Sequence, residues 1–289
     1  MISTPAMSES TKVAVLGAGT MGHGIAQVCA AAGFTVHVSD PSEAARARGL
    51  EGVRASLDRM VAKAKLTAAQ RDEALGRIAW GGDLGAAVED AGVVIEAVPE
   101  RIELKRELLQ RVDALAPDTA LLGSNTSSLS ITELGSTLRD ASRLVGMHFF
   151  NPVPVMELLE IVRGVRTSEA TIDRALAFAA RLPKTPIVVR DMPGFATSRL
   201  GVALGAEAIR MLEQGVASAE DIDRAMELGY RHPMGPLRLT DLVGLDVRLA
   251  ILDHLHRELG EQFRAPPLLR QMVRAGKLGK KSGEGFYKW

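Results

Sequence analysis

Gly17-Ala18-Gly19-Thr20-Met21-Gly22 fits the pattern G-x-G-x-x-G, and its flanks restrict the fold more than any other stretch of the chain. A short apolar run, residues 12–17 (KVAVLG), precedes it. An Ala- and Gly-rich stretch of helical character, residues 21–32, follows it. In a strand–turn–helix setting Gly17 allows the tight turn, Gly19 lets the backbone approach a pyrophosphate, and Gly22 lets helix and strand pack closely. The helix start at Thr20 and Met21 then presents free N–H groups to phosphates. A second strand-like run, TVHVS, ends just before Asp40, 23 residues after Gly17. A carboxylate at about that distance accepts hydrogen bonds from the adenosine ribose and repels a 2′-phosphate. The expected cofactor is therefore NAD rather than NADP, although Arg46 and Arg48 lie nearby.

The rest of the first half continues the alternation. Residues 93–98 (VVIEAV), 120–123, 144–148 and 184–190 read as strands, with helical stretches such as 101–115 between them. Short strands separated by helices predict an α/β fold, a Rossmann-type doubly wound and mostly parallel sheet. One segment, about 42–78, interrupts the rhythm. Residues 42–65 form a long helical stretch rich in Arg, and Thr67 with Gln70 predicts a capping box for a second helix. This reads as a helical-hairpin insert standing off the sheet. Beyond the Asp191-Met192-Pro193-Gly194 turn the pattern becomes almost wholly helical, with helices expected over 195–214, from Ser218 to Gly229, over 246–259 and over 268–275. The predicted division is 1–190 for the nucleotide-binding domain and 191–289 for an all-α domain.

Composition excludes several function classes. Apolar residues make up 46% of the chain and charged residues 24%, enough for a substantial core. Thirty-five Lys and Arg balance 35 Asp and Glu, so the basic excess of a nucleic-acid binder is missing. The single cysteine, Cys29, permits no disulfide within the chain and no Cys-based zinc site, which fits a reducing, cytoplasmic setting. No apolar run approaches the roughly 18 residues of a membrane span. The first eleven residues lack a basic and an apolar region, so they read as a loose start rather than a signal peptide.

Of six histidines, His254 and His256 point apart on a helix, and no metal site is expected. His148 differs. It ends a strand-like run and leads into Phe149-Phe150-Asn151-Pro152-Val153-Pro154, where two prolines define a loop. The following run carries Glu157 and Glu160, which strand parity places on opposite faces, so at most one faces a site with His148. A His with a carboxylate partner moves protons, and alcohol oxidation needs such a base. Ser124-Asn125-Thr126-Ser127-Ser128 follows a strand, where ligands of open α/β sheets bind. Ser130 and Glu133 predict a capping box, which leaves Ser127 without a local structural explanation.

Together the segments VLGAGTMGHGIA, SNTSSLSIT, GMHFFNPVPVMELLEIV, HPMGPL and GKKSGEGFY resemble the 3-hydroxyacyl-CoA dehydrogenase family, over residues 13–287. The nearest resemblance is to its short 3-hydroxybutyryl-CoA dehydrogenases. The resemblance implies NAD-dependent oxidation of an (S)-3-hydroxyacyl-CoA, with His148 as general base and Glu160 as the carboxylate that holds it. It places the substrate-contacting serine at Ser127 and NAD contacts at Asp40, Glu100, Lys105, Ser127, Asn151 and Lys281. It places CoA contacts at Ser56 and Lys63, on the insert, with Arg54, Arg59 and Lys65 expected to be merely solvated. It also implies a homodimer through the helical domain. One position departs from the family pattern: Ser198 stands where the family carries an Asn that hydrogen-bonds substrate, and Ser198 is expected to substitute for it. The alternatives are a dehydrogenase of a free 3-hydroxy acid and a dinucleotide-binding protein with little turnover.

Overall fold

A computed structural model of the chain describes residues 11–289. The reading of the first eleven residues as a loose start lies, except for Thr11, outside them. The chain forms two compact units that divide between Asp191 and Met192.

The first unit runs β1 (Lys12–Leu16), α1 (Thr20–Ala31), β2 (Thr35–Ser39), α2 (Glu43–Ala62), α3 (Ala68–Gly76) and β3 (Ile78–Gly81). It continues with α4 (Leu84–Val88), β4 (Val93–Glu96), α5 (Ile102–Leu115), β5 (Leu121–Ser124), α6 (Ile131–Leu134) and β6 (Leu144–Phe149). It closes with β7 (Leu158–Arg163), α7 (Glu169–Arg181) and β8 (Thr185–Arg190). The eight strands form one sheet in the order β3-β2-β1-β4-β5-β6-β7-β8. Every neighbouring pair is parallel except β6 and β7, which are antiparallel. β1, β4, β5 and β6 are buried along almost their whole length, which is why they read as continuous apolar runs rather than alternating ones. The strand order reverses between β1 and β4, and the Gly17–Gly22 turn sits at that switch point, where open α/β sheets hold ligands.

The insert does not stand off. Val53 and Leu57 of α2 and Ala74 of α3 are buried in the same apolar cluster as Ile25, Val28 and Cys29 of α1. The charged residues of α2 lie on its other faces, so their density concealed a narrow apolar stripe. Gly49 permits the close approach, since a Cβ there would lie 2.8 Å from the Trp80 ring. The stretch assigned to the insert also runs into β3, whose four residues pair with β2 and are too few to show a period. The Thr67–Gln70 capping box forms in both directions, at 3.1 and 2.9 Å. At α6 only half of the expected box forms. Ser130 accepts from the Glu133 N–H, but Asp191 takes the Ile131 and Thr132 N–H groups and the Ser130 hydroxyl.

The second unit contains α8 (Thr197–Glu213), α9 (Ala219–Gly229), α10 (Pro236–Val243), α11 (Leu245–Leu259) and α12 (Pro267–Arg274). Val202, Ile209, Leu237, Leu252, Leu255 and Leu269 fill its core. α10 is not among the helices expected from the sequence, because it is short and only one glycine separates it from α11. The C-terminal segment is strapped to α10 by Asp241. This fully buried carboxylate accepts from Phe286 N, Tyr287 N and Trp289 Nε1, each at 2.9 Å. Tyr287 in turn donates its hydroxyl proton to Asp223 at 2.7 Å. Among the described residues no helix is long and apolar enough to cross a membrane.

Candidate active site

The turn after β1 is shaped for close approach. Gly17 has φ +103°, and a Cβ on Gly22 would lie 1.8 Å from the Gly17 carbonyl oxygen. Gly19 is the opposite case: a Cβ there would meet nothing within 4 Å, so its backbone faces open space. No side chain caps α1, which leaves its first N–H groups aimed at that space. Asp40 closes the turn from β2. Its carboxylate accepts from Ala18 N and from Ser42 N, both at 2.9 Å. Arg46 donates to the Asp40 carbonyl. A cavity of about 410 Å³ opens beside them, lined by Gly17, Asp40, Val98, Leu104 and Leu108. A cleft with an apolar floor and the Asp40 carboxylate at its edge, with Glu107 and Arg111 also on its wall, lies next to an uncapped helix N-terminus and fits an adenosine followed by a pyrophosphate.

A second cavity, of about 380 Å³, is lined among others by Met21, Asn125, Ser127, His148 and Asn151. The β6–β7 register sets His148 opposite Glu160. The His148 Nδ1 lies 2.7 Å from a Glu160 carboxylate oxygen. Glu160 is fully buried and His148 is 7% exposed. Glu157, the other glutamate left open by parity, precedes β7 and lines a different cavity. The Asn125 side chain accepts from Phe149 N at 2.9 Å and pins the strand end that carries His148.

Beneath this cavity lies a buried network. Lys105, 1% exposed, reaches Glu96 at 2.7 Å and Glu100 at 3.1 Å. Glu96 also accepts from the Ser124 hydroxyl and Val98 N. Glu100 accepts from the Thr126 hydroxyl at 2.6 Å and from Ser127 N at 2.9 Å, which fixes the polar loop after β5. Burial pushes the Glu100 carboxyl up, but Lys105, Thr126 and Ser127 outweigh it and hold the group below the usual carboxylate range. Lys105 therefore meets the cavity through Glu100. Glu96 is not among the residues expected from the sequence; the one signal for it is an acid inside the apolar run VVIEAV.

The insert contributes a third cavity, of about 680 Å³. Ser56 and Lys63 line it, and so do Arg59, Lys65 and Lys184. Arg59 and Lys65 are solvent-exposed, as expected, and sit on the rim of this cavity. Lys184 is occupied there, donating to Val153 O and Met156 O. Ser198 and Lys281 belong to the second unit, Ser198 in the first turn of α8 and Lys281 paired with Asp246 at 2.6 Å. Among the described residues no group of three or more His, Cys, Asp or Glu could hold a metal ion.

Comparison with known proteins identifies the family. Residues 12–192 match the NAD-binding domain of 3-hydroxyacyl-CoA dehydrogenase, and residues 194–289 match that enzyme's C-terminal domain. A probable 3-hydroxybutyryl-CoA dehydrogenase of Bacillus subtilis is 45% identical, over 96% of this chain and 97% of its own. A 3-hydroxybutyryl-CoA dehydrogenase of Mycobacterium tuberculosis is also 45% identical, with the same coverage. The crystal structure of an (S)-3-hydroxybutyryl-CoA dehydrogenase from Ralstonia eutropha is 43% identical, covering 97% of this chain and 99% of that one, with a TM-score of 0.94. With a nucleotide turn at the switch point and both family domains matched end to end, the chain belongs to the 3-hydroxyacyl-CoA dehydrogenase family.

Proposed function

We propose that the protein oxidises (S)-3-hydroxyacyl-CoA thioesters to 3-oxoacyl-CoA with NAD, and catalyses the reverse, with 3-hydroxybutyryl-CoA as a short-chain substrate. The observation that carries this reading is the buried His148–Glu160 pair facing a cavity whose wall includes Met21 of the nucleotide-binding helix. Gly17, Gly19, Thr20, Met21, Gly22 and Asp40 hold the cofactor's adenosine and pyrophosphate, and Glu100, Ser127 and Asn151 line its other end. Bound there, NAD supplies the two-electron acceptor for the alcohol carbon.

The protein's own share is proton transfer and positioning. Nδ1 of His148 is engaged by Glu160, so the substrate hydroxyl proton goes to Nε2. The Glu160 carboxylate orients the ring and stabilises the imidazolium that forms, the part played by the acid of a catalytic triad. In reduction the same imidazolium returns the proton. Ser127, whose backbone N–H is fixed by Glu100, turns its hydroxyl from Glu100 to the substrate oxygen when substrate binds. Ser198 donates in place of the family's Asn. Ser56 and Lys63 hold CoA, and the neighbouring Arg59 and Lys65 give that cavity the cationic character that a phosphate-bearing handle needs. This cluster supports a thioester over a free hydroxy acid. The enzyme is cytoplasmic and works as a homodimer through the helical unit.

The test is loss of NADH absorbance with acetoacetyl-CoA, run beside NADPH and beside free acetoacetate. Fast turnover with NADH and the thioester alone is expected. Equal rates with NADPH would overturn the role of Asp40, and equal rates with the free acid would overturn that of the insert. A solution mass near 30.8 kDa, one chain, would overturn the dimer.

A further inference from the structure

The network under the active-site loop holds two carboxylates and one ammonium. Lys105 pairs with Glu96 at 2.7 Å and with Glu100 at 3.1 Å, and among the described residues no other cation pairs with either acid. The remaining partners of both acids are donors. Glu96 accepts from Val98 N and from the Ser124 hydroxyl. Glu100 Oε1 accepts from the Thr126 hydroxyl at 2.6 Å, from Ser127 N at 2.9 Å and from Ser128 N at 3.2 Å. An oxygen surrounded by donors favours the carboxylate over the acid. The network therefore carries one negative charge in excess.

The excess lies on the side of the cavity. Glu96 is fully buried and Lys105 is 1% exposed, and the ammonium sits closer to Glu96. Glu100 is the member that reaches open space, with 36% of its side chain exposed, and it lines the cavity together with Ser127, His148 and Asn151. A glutamine there would accept the Thr126 and Ser127 bonds through its amide oxygen and fix the loop without a charge. What the carboxylate adds is a negative potential inside the cavity, backed by buried groups in a low dielectric.

On the dehydrogenase reading the same cavity takes the nicotinamide. The hydroxyl proton and the hydride leave one C–OH unit, so the base His148 and the hydride acceptor face one space. The nicotinamide ring is a cation when oxidised and neutral when reduced. The pyrophosphate and adenosine are identical in both forms, so the Gly17–Gly22 turn and Asp40 do not tell them apart.

We propose that the net negative charge of the Glu96–Lys105–Glu100 network sets the balance between the two redox forms of the cofactor, by favouring the oxidised, cationic nicotinamide over the reduced one. This rests on the dehydrogenase reading and adds to it a control on direction that lies outside the His148–Glu160 pair. Glu100 supplies the charge at the cavity wall. Lys105 and Glu96 set how much of it is offset.

The test reads binding rather than turnover. Kd for NADH comes from its fluorescence and Kd for NAD from displacement of NADH, at pH 8 without substrate, and the quantity compared is Kd(NAD)/Kd(NADH). Glu100→Gln takes the network from one negative charge to none. It is expected to raise the ratio about ten-fold, the size of a unit charge acting over roughly 10 Å at an effective dielectric of about 20. That change is about 30 mV in the potential of the bound couple. Glu96→Gln makes the same change in charge from farther behind the wall and should raise the ratio by less. Lys105→Met takes the network to two negative charges and is expected to lower the ratio. Loss of packing or of loop order weakens both forms together and does not produce this opposition in sign. Combining Lys105→Met with Glu96→Gln restores one negative charge and should return the ratio to within about two-fold of wild type. A ratio unchanged in Glu100→Gln overturns the proposal, and that variant decides alone if Lys105→Met does not fold. A folded Lys105→Met protein whose ratio rises or stays the same overturns it as well. A wild-type protein that binds neither form would instead refute the dehydrogenase reading.

Discussion

Replacing Lys105 by Met tests the buried network under the active-site loop. Lys105 is 1% exposed and is shared by the fully buried Glu96, at 2.7 Å, and by Glu100, at 3.1 Å. Met matches the side chain's length and removes only the ammonium. Glu96 keeps the Ser124 hydroxyl and Val98 N but loses its counter-charge. Breaking a buried pair from one side costs about 3–5 kcal/mol, because the remaining charge stays desolvated. For a unit of this size, ~1 kcal/mol moves Tm by about 2–4 °C, so a fall of roughly 6–20 °C is expected. Urea unfolding at neutral pH, followed by circular dichroism, gives the same quantity as a change in midpoint. The pH dependence supplies a second check. Glu100 is held below the usual carboxylate range, so its stabilisation is present above the unfolded value of about 4.3 and is lost as pH falls through the lower folded value. The variant lacks the Lys105 share of that contribution and keeps the Thr126 and Ser127 hydrogen bonds, so its deficit should shrink on acidification. A deficit below about 1 kcal/mol at neutral pH would refute the reasoning, as would one that grows toward acid. Combining Lys105→Met with Glu96→Gln should recover part of the loss, and purely additive effects would show that the pair is not coupled.

Three further outcomes follow from other parts of the molecule. Glu160→Gln should lower kcat by about 10²–10⁴-fold in both directions with NAD affinity nearly unchanged, and a loss under three-fold would remove Glu160 from the mechanism. Burial and the Asp223 carboxylate push the Tyr287 hydroxyl above its ordinary range, so its contribution holds below about pH 10 and is lost as pH rises through the folded value. Tyr287→Phe should cost about 1.5 kcal/mol by denaturant titration near pH 7 and flatten the alkaline decline. Burial pushes the Cys29 thiol up to about 12, so thiol reagents should label the native protein at pH 8 far more slowly than the urea-unfolded chain.

Local chemistry explains which features were legible in the sequence. The Gly17–Gly22 turn, the acid at Asp40 and the Thr67–Gln70 box each depend on residues a few positions apart, or on one strand–helix–strand unit. Steric freedom and hydrogen-bonding reach settle them there. Parity reduced the partner of His148 to Glu157 or Glu160 without choosing, because alternation says which residues share a face and not which strand lies opposite. The β6–β7 register made that choice. The family resemblance named Glu160 from motif positions, a different kind of knowledge.

What only the tertiary structure decided depends on partners distant in the chain. Asp191 caps α6 from some sixty residues away, so a local capping box was the wrong expectation for its second half. The insert's apolar stripe had meaning only once α1 lay against it. Glu96 and Lys105 look like one acid in a strand and one base in a helix until burial makes them a pair. Backbone conformation is set within a few residues, so the sequence alone determined the α/β order and the nucleotide turn. Desolvation and pairing are set by whatever the fold places alongside, so the carboxylate that serves His148 was decided only in three dimensions.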